Sequence, residues 1–448
     1  MGNAAISLGG NEPGTINVVA SAVIAGICAA TAAGCTWDAA CHRWRQATQK
    51  GRPHGWILAM LAGSYSVLAP GWITVLLSFN VSVSALGHVV PLQVNTETTV
   101  SFVAMLFSSG CWLGGACLVL YAFIVPVLKL LLLFLGEFWR LSDSPVRVLW
   151  ARRCIICVQL ISKWASPDMF AYVLLQHLVR RLNHPPHLLA AARLDIGFAC
   201  FSAFCIGSTV SSVGIRLPAA VGKGDTAGIG TPPRAAPHHS RVVFYAAAAC
   251  LTAFGVLLGV GLQAPCMALR LDLDVLALPT LVEILVEPLN LPGLAHADVS
   301  LWQCMTALEH WSGHGEVTSI VAMLMFGIFV ILFTIIDMGL LTAVAWLRYV
   351  DSGLAGQKAD SLLAAAHVLK KLSMLDVSIV GIMLVALSMG VYRSDGVILS
   401  LRWGLYALLG AELLHYGTYH LVSRSAEASG MVHDGQSSCE KGPLLAVE

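Results

Sequence analysis

Seven ionisable side chains interrupt long apolar runs: Lys129, Lys163, Asp168, Asp337, Lys371, Asp376 and Glu412. Holding such a group in hydrocarbon costs about 2.5–3.5 kcal/mol on insertion scales, so each is a functional candidate by default. The first six balance, three positive against three negative. One reading of them is a proton-responsive switch or a gate for a polar substrate. The competing reading is structural. In it Lys371 snorkels at the inner interface and Asp376 caps an internal hydrogen bond. Glu412 stands mid-span, where it titrates or faces a cavity.

Two of these pairs share a spacing. Lys163-Trp-Ala-Ser-Pro-Asp168 and Lys371-Leu-Ser-Met-Leu-Asp376 both read Lys-x4-Asp. Residues five apart on a helix are rotated by about 140° and rise about 7.5 Å. They do not face each other as an i,i+4 pair would. Each needs a partner on another helix, or water. We expect the charges to pair within each half of the chain or across the interface between halves. Pro167 frees a carbonyl one turn back and predicts a kink beside Asp168.

Other chemistries have weaker signals. His177, His367, His415 and His420 lie in or near apolar segments, and two facing imidazoles would ligate a haem. No span carries a well-spaced pair. Cys154-Ile-Ile-Cys157 would suit a thiol oxidoreductase, yet it falls at the cytoplasmic end, where thiols stay reduced. A zinc site needs four ligands, and no second CxxC pair is present. Most of the 13 cysteines read as small hydrophobes in apolar runs. No G-x-S-x-G, H-E-x-x-H or phosphate-cradling loop appears. The expectation is no enzyme, no cofactor and no metal.

The elements that must position these residues follow from composition. Of 448 residues, 57% are hydrophobic and 11% charged. A soluble domain is about 25% charged, so this chain cannot coat a soluble surface. With 26 Lys+Arg against 25 Asp+Glu, there is no basic surplus for nucleic acid. Mean hydropathy is +0.76. A polytopic membrane protein remains. A span needs about 20 apolar residues. Nine segments qualify: 15–35, 56–79, 101–138, 154–179, 195–215, 241–263, 317–347, 372–392 and 399–422. The first lacks the basic start of a secretory signal and reads as a weak span.

Loop charge predicts the orientation. With residues 36–55 cytoplasmic, 18 Lys and Arg fall on that side and 6 on the other. Two outer loops are long. Residues 80–100 alternate Val, Thr and Ser and predict short strands. Residues 264–316 are acidic, with Asp272, Asp274, Glu283, Glu287, Asp298 and Glu309. The sequon Asn80-Val-Ser82 abuts a span, so we expect little glycosylation there. Residues 217–240, rich in Gly, Pro and His, predict a flexible cytoplasmic linker.

The halves on either side of that linker look alike. The two Lys-x4-Asp segments are offset by 208 residues, and the same offset brings Lys129 onto Asp337. The flanks match, VPVLKLLL against FTIIDMGL, and Arg193 falls opposite Arg402 with one gap. Glu412 has no counterpart. The repeat is parallel, since each unit has an even number of spans. The expected organisation is an N-terminal segment with an extra span (1–53) and a first four-helix unit (54–216). The linker (217–240), a second four-helix unit (241–423) and a cytoplasmic tail (424–448) follow.

The repeated unit resembles the paraquat-inducible protein A family of bacterial envelope membrane proteins. The resemblance rests on Pro126-x2-Lys129, Lys163-Trp-Ala-Ser-Pro-Asp168-Met-Phe170 and Lys371-Leu-Ser-Met-Leu-Asp376-Val377. It covers roughly residues 54–215 and 241–422. It implies an all-α polytopic fold of two tandem tetraspanin-like four-helix units with small β-rich extracytoplasmic loops. It also implies a role beside mammalian-cell-entry (MCE) domain proteins in moving lipid across an envelope, with membrane lipids and an MCE-type protein as partners. The chain departs from the family in lacking paired CxxC motifs on the cytoplasmic side, where only Cys35 and Cys41 stand. That departure leaves coupling to partners open. The membrane involved is not specified. A haem or thiol oxidoreductase and a tetraspanin-like scaffold without transport are the rival readings.

Overall fold

A computed structural model describes residues 11–40, 53–85, 88–185, 188–218, 237–271, 296–350, 353–393 and 396–439. Most of the 217–240 linker, and Asp272, Asp274, Glu283 and Glu287 of the acidic loop, lie outside those residues. Cys41 and the last nine residues of the tail also lie outside them.

The chain begins with α1 (Pro13–Ala40), then α2 (Gly55–Ser66) and α3 (Leu68–Ile73). Strands β1 (Val75–Ala85) and β2 (His88–Thr98) lead into the short α4 (Thr99–Ser108). A rod follows, α5 (Trp112–Val119) and α6 (Val125–Trp139), joined by a π-helical turn at Leu120–Ile124. Then come α7 (Pro145–Ile161), α8 (Pro167–Arg181), β3 (Leu188–Leu194) and α9 (Ile196–Gly214). Beyond the linker, α10 (Pro237–Gln263) and β4 (Met267–Leu271) are followed by β5 (His296–Val299) and α11 (Leu301–Gly313). A second rod joins α12 (Val317–Leu324) to α13 (Phe333–Val350) through a π-helical segment, Met325–Leu332. The chain ends with α14 (Gly353–Leu372), α15 (Leu375–Ser388), β6 (Val397–Leu401) and α16 (Trp403–Cys439).

Among the described residues, seven rods have the length and hydropathy to cross a membrane. The chain is therefore an all-α polytopic membrane protein with two small sheets. The expected spans need adjusting. Segment 56–79 ends as a helix at Ile73, because β-branched and alternating residues from Val75 form a strand. Segment 101–138 breaks at Gly110, whose φ of 77° only glycine adopts freely. Segment 154–179 is two helices, parted by a 3-10 turn at Ser162–Ala165. Segment 372–392 belongs to a longer broken rod, Lys358–Val391. Segment 399–422 opens in strand β6 and is helical only from Trp403, and it is not among the seven apolar rods, since Glu412, His415 and His420 lower its hydropathy.

The two sheets have the same internal order, β2-β1-β3 and β5-β4-β6, and are antiparallel throughout. Strand β1 is central, with Phe79 opposite both Asn95 and Ala192. Strand β4 is its counterpart in position, with Leu269 opposite Ala297 and Leu399. Asn80 of the sequon is buried in β1. A side-chain capping box follows each second strand, Thr98 with Ser101 at α4 and Ser300 with Gln303 at α11. After each short helix stands a glycine with positive φ, Gly110 and then Gly315.

The centre of the molecule is the pair α8 and α15. Every residue of α8 from Pro167 to Val179 is buried. The Phe170 ring meets Phe326 edge-on, centroids 4.9 Å apart. Gly381 of α15 lies against α8 so closely that a Cβ there would sit 2.8 Å from the Pro167 carbonyl oxygen. Gly381→Ala is expected to force the pair apart. Overpacking of this kind costs about 1–3 kcal/mol, and a thermal melt in lipid nanodiscs reads it.

Helix α1 is no loose leader. It packs on α2 and α9. Asp38 caps α2 by accepting from the amides of Gly55 and Trp56, at 2.8 and 3.1 Å. At the sheet end of the molecule, the Asn17 amide donates to the Gly315 carbonyl and accepts from the Val317 amide.

Candidate functional site

Both Lys-x4-Asp segments coincide with a break between two helices. Lys163 sits in the 3-10 turn between α7 and α8, and Asp168 in the first turn of α8. Lys371 sits in the last turn of α14, and Asp376 in the first turn of α15. Each dipole favours this arrangement, a carboxylate at a helix start and, at Lys371, a cation at a helix end. Pro167 explains the first break. The second, at Ser373–Met374, has no proline and is held by tertiary contacts.

A break leaves backbone groups without helical partners, and buried ones need others. Here neighbouring helices supply them. Cys205 and Thr209 of α9 bond the carbonyls of Ala165 and Ser162. The Met374 amide donates 2.9 Å to the carbonyl of Phe329, inside the π-helical segment of the second rod. The hydroxyls of Thr334 and Ser373 bond at 2.7 Å.

The charges then cross between the breaks. Lys163 Nζ lies 2.6 Å from Asp376 Oδ2 and also donates to the Ser373 carbonyl at 3.3 Å. Tyr416 of α16 donates to the same carboxylate oxygen at 3.0 Å, and the Val377 amide to the other at 2.9 Å. The first half thus supplies the cation and the second half the anion. Of the two arrangements left open by the five-residue spacing, within a half or across the interface, this pair takes the second.

The reciprocal pair does not form. Lys371 donates to Gln159 Oε1 at 2.7 Å, and Gln159 Nε2 donates to the carbonyls of Ser212 and Ile215 at the end of α9. Lys371 is thus tied to a neighbouring helix. Asp168 is fully buried and neither carboxylate oxygen meets a hydrogen-bond partner. It faces a cavity of about 20 Å³ shared with Tyr172, whose hydroxyl is also unpartnered. That volume holds about one water.

The last three candidates stand on the rods and α16. Lys129 is fully buried and donates to the hydroxyls of Ser162 and Ser208, at 2.6 and 3.0 Å. Asp337 Oδ2 lies 2.7 Å from His415 Nε2, and His415 Nδ1 lies 3.4 Å from Glu412 Oε1. An imidazole with a carboxylate at each nitrogen carries two protons when both carboxylates are ionised. The trio then bears one net negative charge. One more proton neutralises it.

Family models, curated proteins and solved structures return no match to this chain. The site must be read from its own geometry.

That geometry disfavours the haem reading. Both nitrogens of His415 face carboxylates, and His367 is hydrogen-bonded to Tyr419. His177 has no facing histidine ring among the recorded ring contacts of the described residues, only Trp311. The thiol pair is also ill placed for exchange, since Cys154 is buried and Cys157 exposed on one helix. Among the described residues, no group of three or more His, Cys, Asp or Glu is arranged to hold a metal ion.

Sequence reasoning passed over Gln159, Ser162, Ser208 and Tyr416, all of which bond the charged residues. Neutral polar residues are common in apolar helices, so their types raise no signal. His415 was singled out for the wrong chemistry. Its i,i+3 spacing from Glu412 places the two on one helix face and was the available clue.

Proposed function

We propose that this chain is a membrane component of the paraquat-inducible protein A type. It moves or hands over lipid or another amphiphile between the bilayer and an extracytoplasmic partner, such as an MCE-domain protein. On this reading it is built from two tandem four-helix tetraspanin-like units, and its buried charges act as a proton-responsive switch. Two sheets with the same internal order and two broken helices with the same Lys-x4-Asp spacing support the tandem organisation. The observation that carries the function is the asymmetry at the breaks. One carboxylate is locked by a lysine of the other half, while its equivalent, Asp168, is buried without a partner. A switch needs two states of similar energy, and an unsatisfied buried carboxylate is a group that another state can satisfy.

The test is photo-crosslinking in native-lipid particles. A photoactivatable phospholipid is expected to label both halves, and labelling is expected to change when Asp168 is replaced by Asn. A chain that excludes the probe from both halves sinks the reading. Full tolerance of Asp168→Asn and Asp376→Asn, with sensitivity only at the sheet loops, supports a scaffold without transport instead.

A further inference from the structure

A second site lies at the sheet end, apart from the buried network. A pocket of about 660 Å³ opens between α1, the end of α8, β3 and α11. Three arginines line it, Arg180, Arg181 and Arg193, against one acid, Glu316. Arg180 is committed. It pairs with both oxygens of Glu316 at 3.0 and 3.2 Å, and its guanidinium lies 4.1 Å from the centroid of the Trp311 ring. Glu316 is thereby neutralised. Arg181 has no acidic partner among the described residues and is exposed. Arg193 donates to the Asn11 carbonyl and leaves its buried Nε without a partner. Asp195 does not cancel these charges. It is bonded to Asn11 and to the Ile196 amide, and it is not part of the pocket wall.

The deciding observation is His177. It is 2% exposed, it lines the pocket, and neither ring nitrogen has a partner. A buried imidazole without any hydrogen bond is costly. Beside the free guanidinium of Arg181 and the open Nε of Arg193, an anionic acceptor would take the ring N–H of His177 and both arginine donors at once. Arginine forks match phosphate and carboxylate geometry and are strongest when the partner is ionised. Ile16, Ala307 and Leu194 also line the pocket. The volume exceeds what a bare oxyanion needs and falls in the range of small-molecule sites.

We propose that this pocket binds a phosphate-type oxyanion carried on a larger, partly apolar molecule, with Arg181, Arg193 and His177 as its donors. The inference does not depend on the transport reading. Two sources share the chemistry, the headgroup of an anionic phospholipid and a soluble phosphate ester.

The experiment uses the full chain in phosphatidylcholine nanodiscs, titrated calorimetrically with dioctanoyl phosphatidic acid and, separately, with glycerol 3-phosphate. At least one probe is expected to bind saturably. Arg181→Gln is expected to weaken it about tenfold or more, the usual scale for a charge-assisted hydrogen bond. Arg181 is exposed and holds no structural bond, so this variant keeps its fold, which a thermal melt verifies. His177→Phe keeps the bulk of the ring, removes its N–H donor and is expected to weaken the same probe. Binding of phosphatidic acid alone identifies a lipid headgroup. Equal binding of glycerol 3-phosphate identifies a soluble ester. Binding of neither probe, or binding that both variants leave unchanged, overturns the proposal. Loss of lipid labelling elsewhere in the protein bears on the transport reading and leaves this one standing.

Discussion

Replacing Lys163 by Met is expected to cost the folded protein about 3–5 kcal/mol, the scale for removing one partner of a buried ion pair. Both side chains of the Lys163–Asp376 pair are largely buried, 9% and 12% exposed. The variant leaves Asp376 facing Tyr416 and the start of α15 without its paired lysine. It also removes a donor from the Ser373 carbonyl at the second break. The double variant Lys163→Met with Asp376→Leu is expected to recover most of that loss, because two apolar groups replace a pair that was costly to desolvate. A double-mutant cycle on melting in nanodiscs measures the coupling. If the single variant melts with the wild type, the pair holds nothing together. If the double variant is stable yet fails to transfer a fluorescent phospholipid to acceptor vesicles, the pair is needed for work rather than for folding.

Asp168 predicts the opposite sign on stability. Its buried carboxylate has no side-chain partner, so its desolvation is offset only by the amides and dipole at the start of α8. Asp168→Leu is expected to stabilise the fold by about 1–3 kcal/mol. Asp168→Asn, closer in shape, is expected to melt at or above the wild-type temperature. Both are expected to lower phospholipid transfer at least tenfold. A gain in stability with a loss of activity is the mark of a strained functional group. Retained transfer in both variants would make Asp168 a structural residue, and a large loss of stability would mean that it has a partner in the folded membrane state.

The charged candidates were legible because charge is scarce in this chain. The rotation between residues five apart also required partners on other helices, and Lys163 found one across the halves. The strands near residues 80–100 were legible from alternation. Other features were not. The break at Ser373 has no proline, since the π-helical segment around Phe329 and the hydroxyl of Thr334 hold it from outside. That Lys371 meets Gln159 rather than Asp168 depends on how α7 and α14 lean, which no local pattern encodes. The three-part cluster of Asp337, His415 and Glu412 joins helices 78 residues apart in the chain. Element type follows from local pattern. Partner choice is a property of packing.

The contact at Gly381 limits how any cargo travels. A single methyl group does not fit between α15 and the start of α8 at that point. A hydrocarbon tail, about as thick as a methyl along its whole length, does not fit either. The seam between the two central helices therefore acts as a steric sieve that is shut at that level. On the transport reading, an amphiphile therefore crosses elsewhere than between α8 and α15 at the level of Gly381.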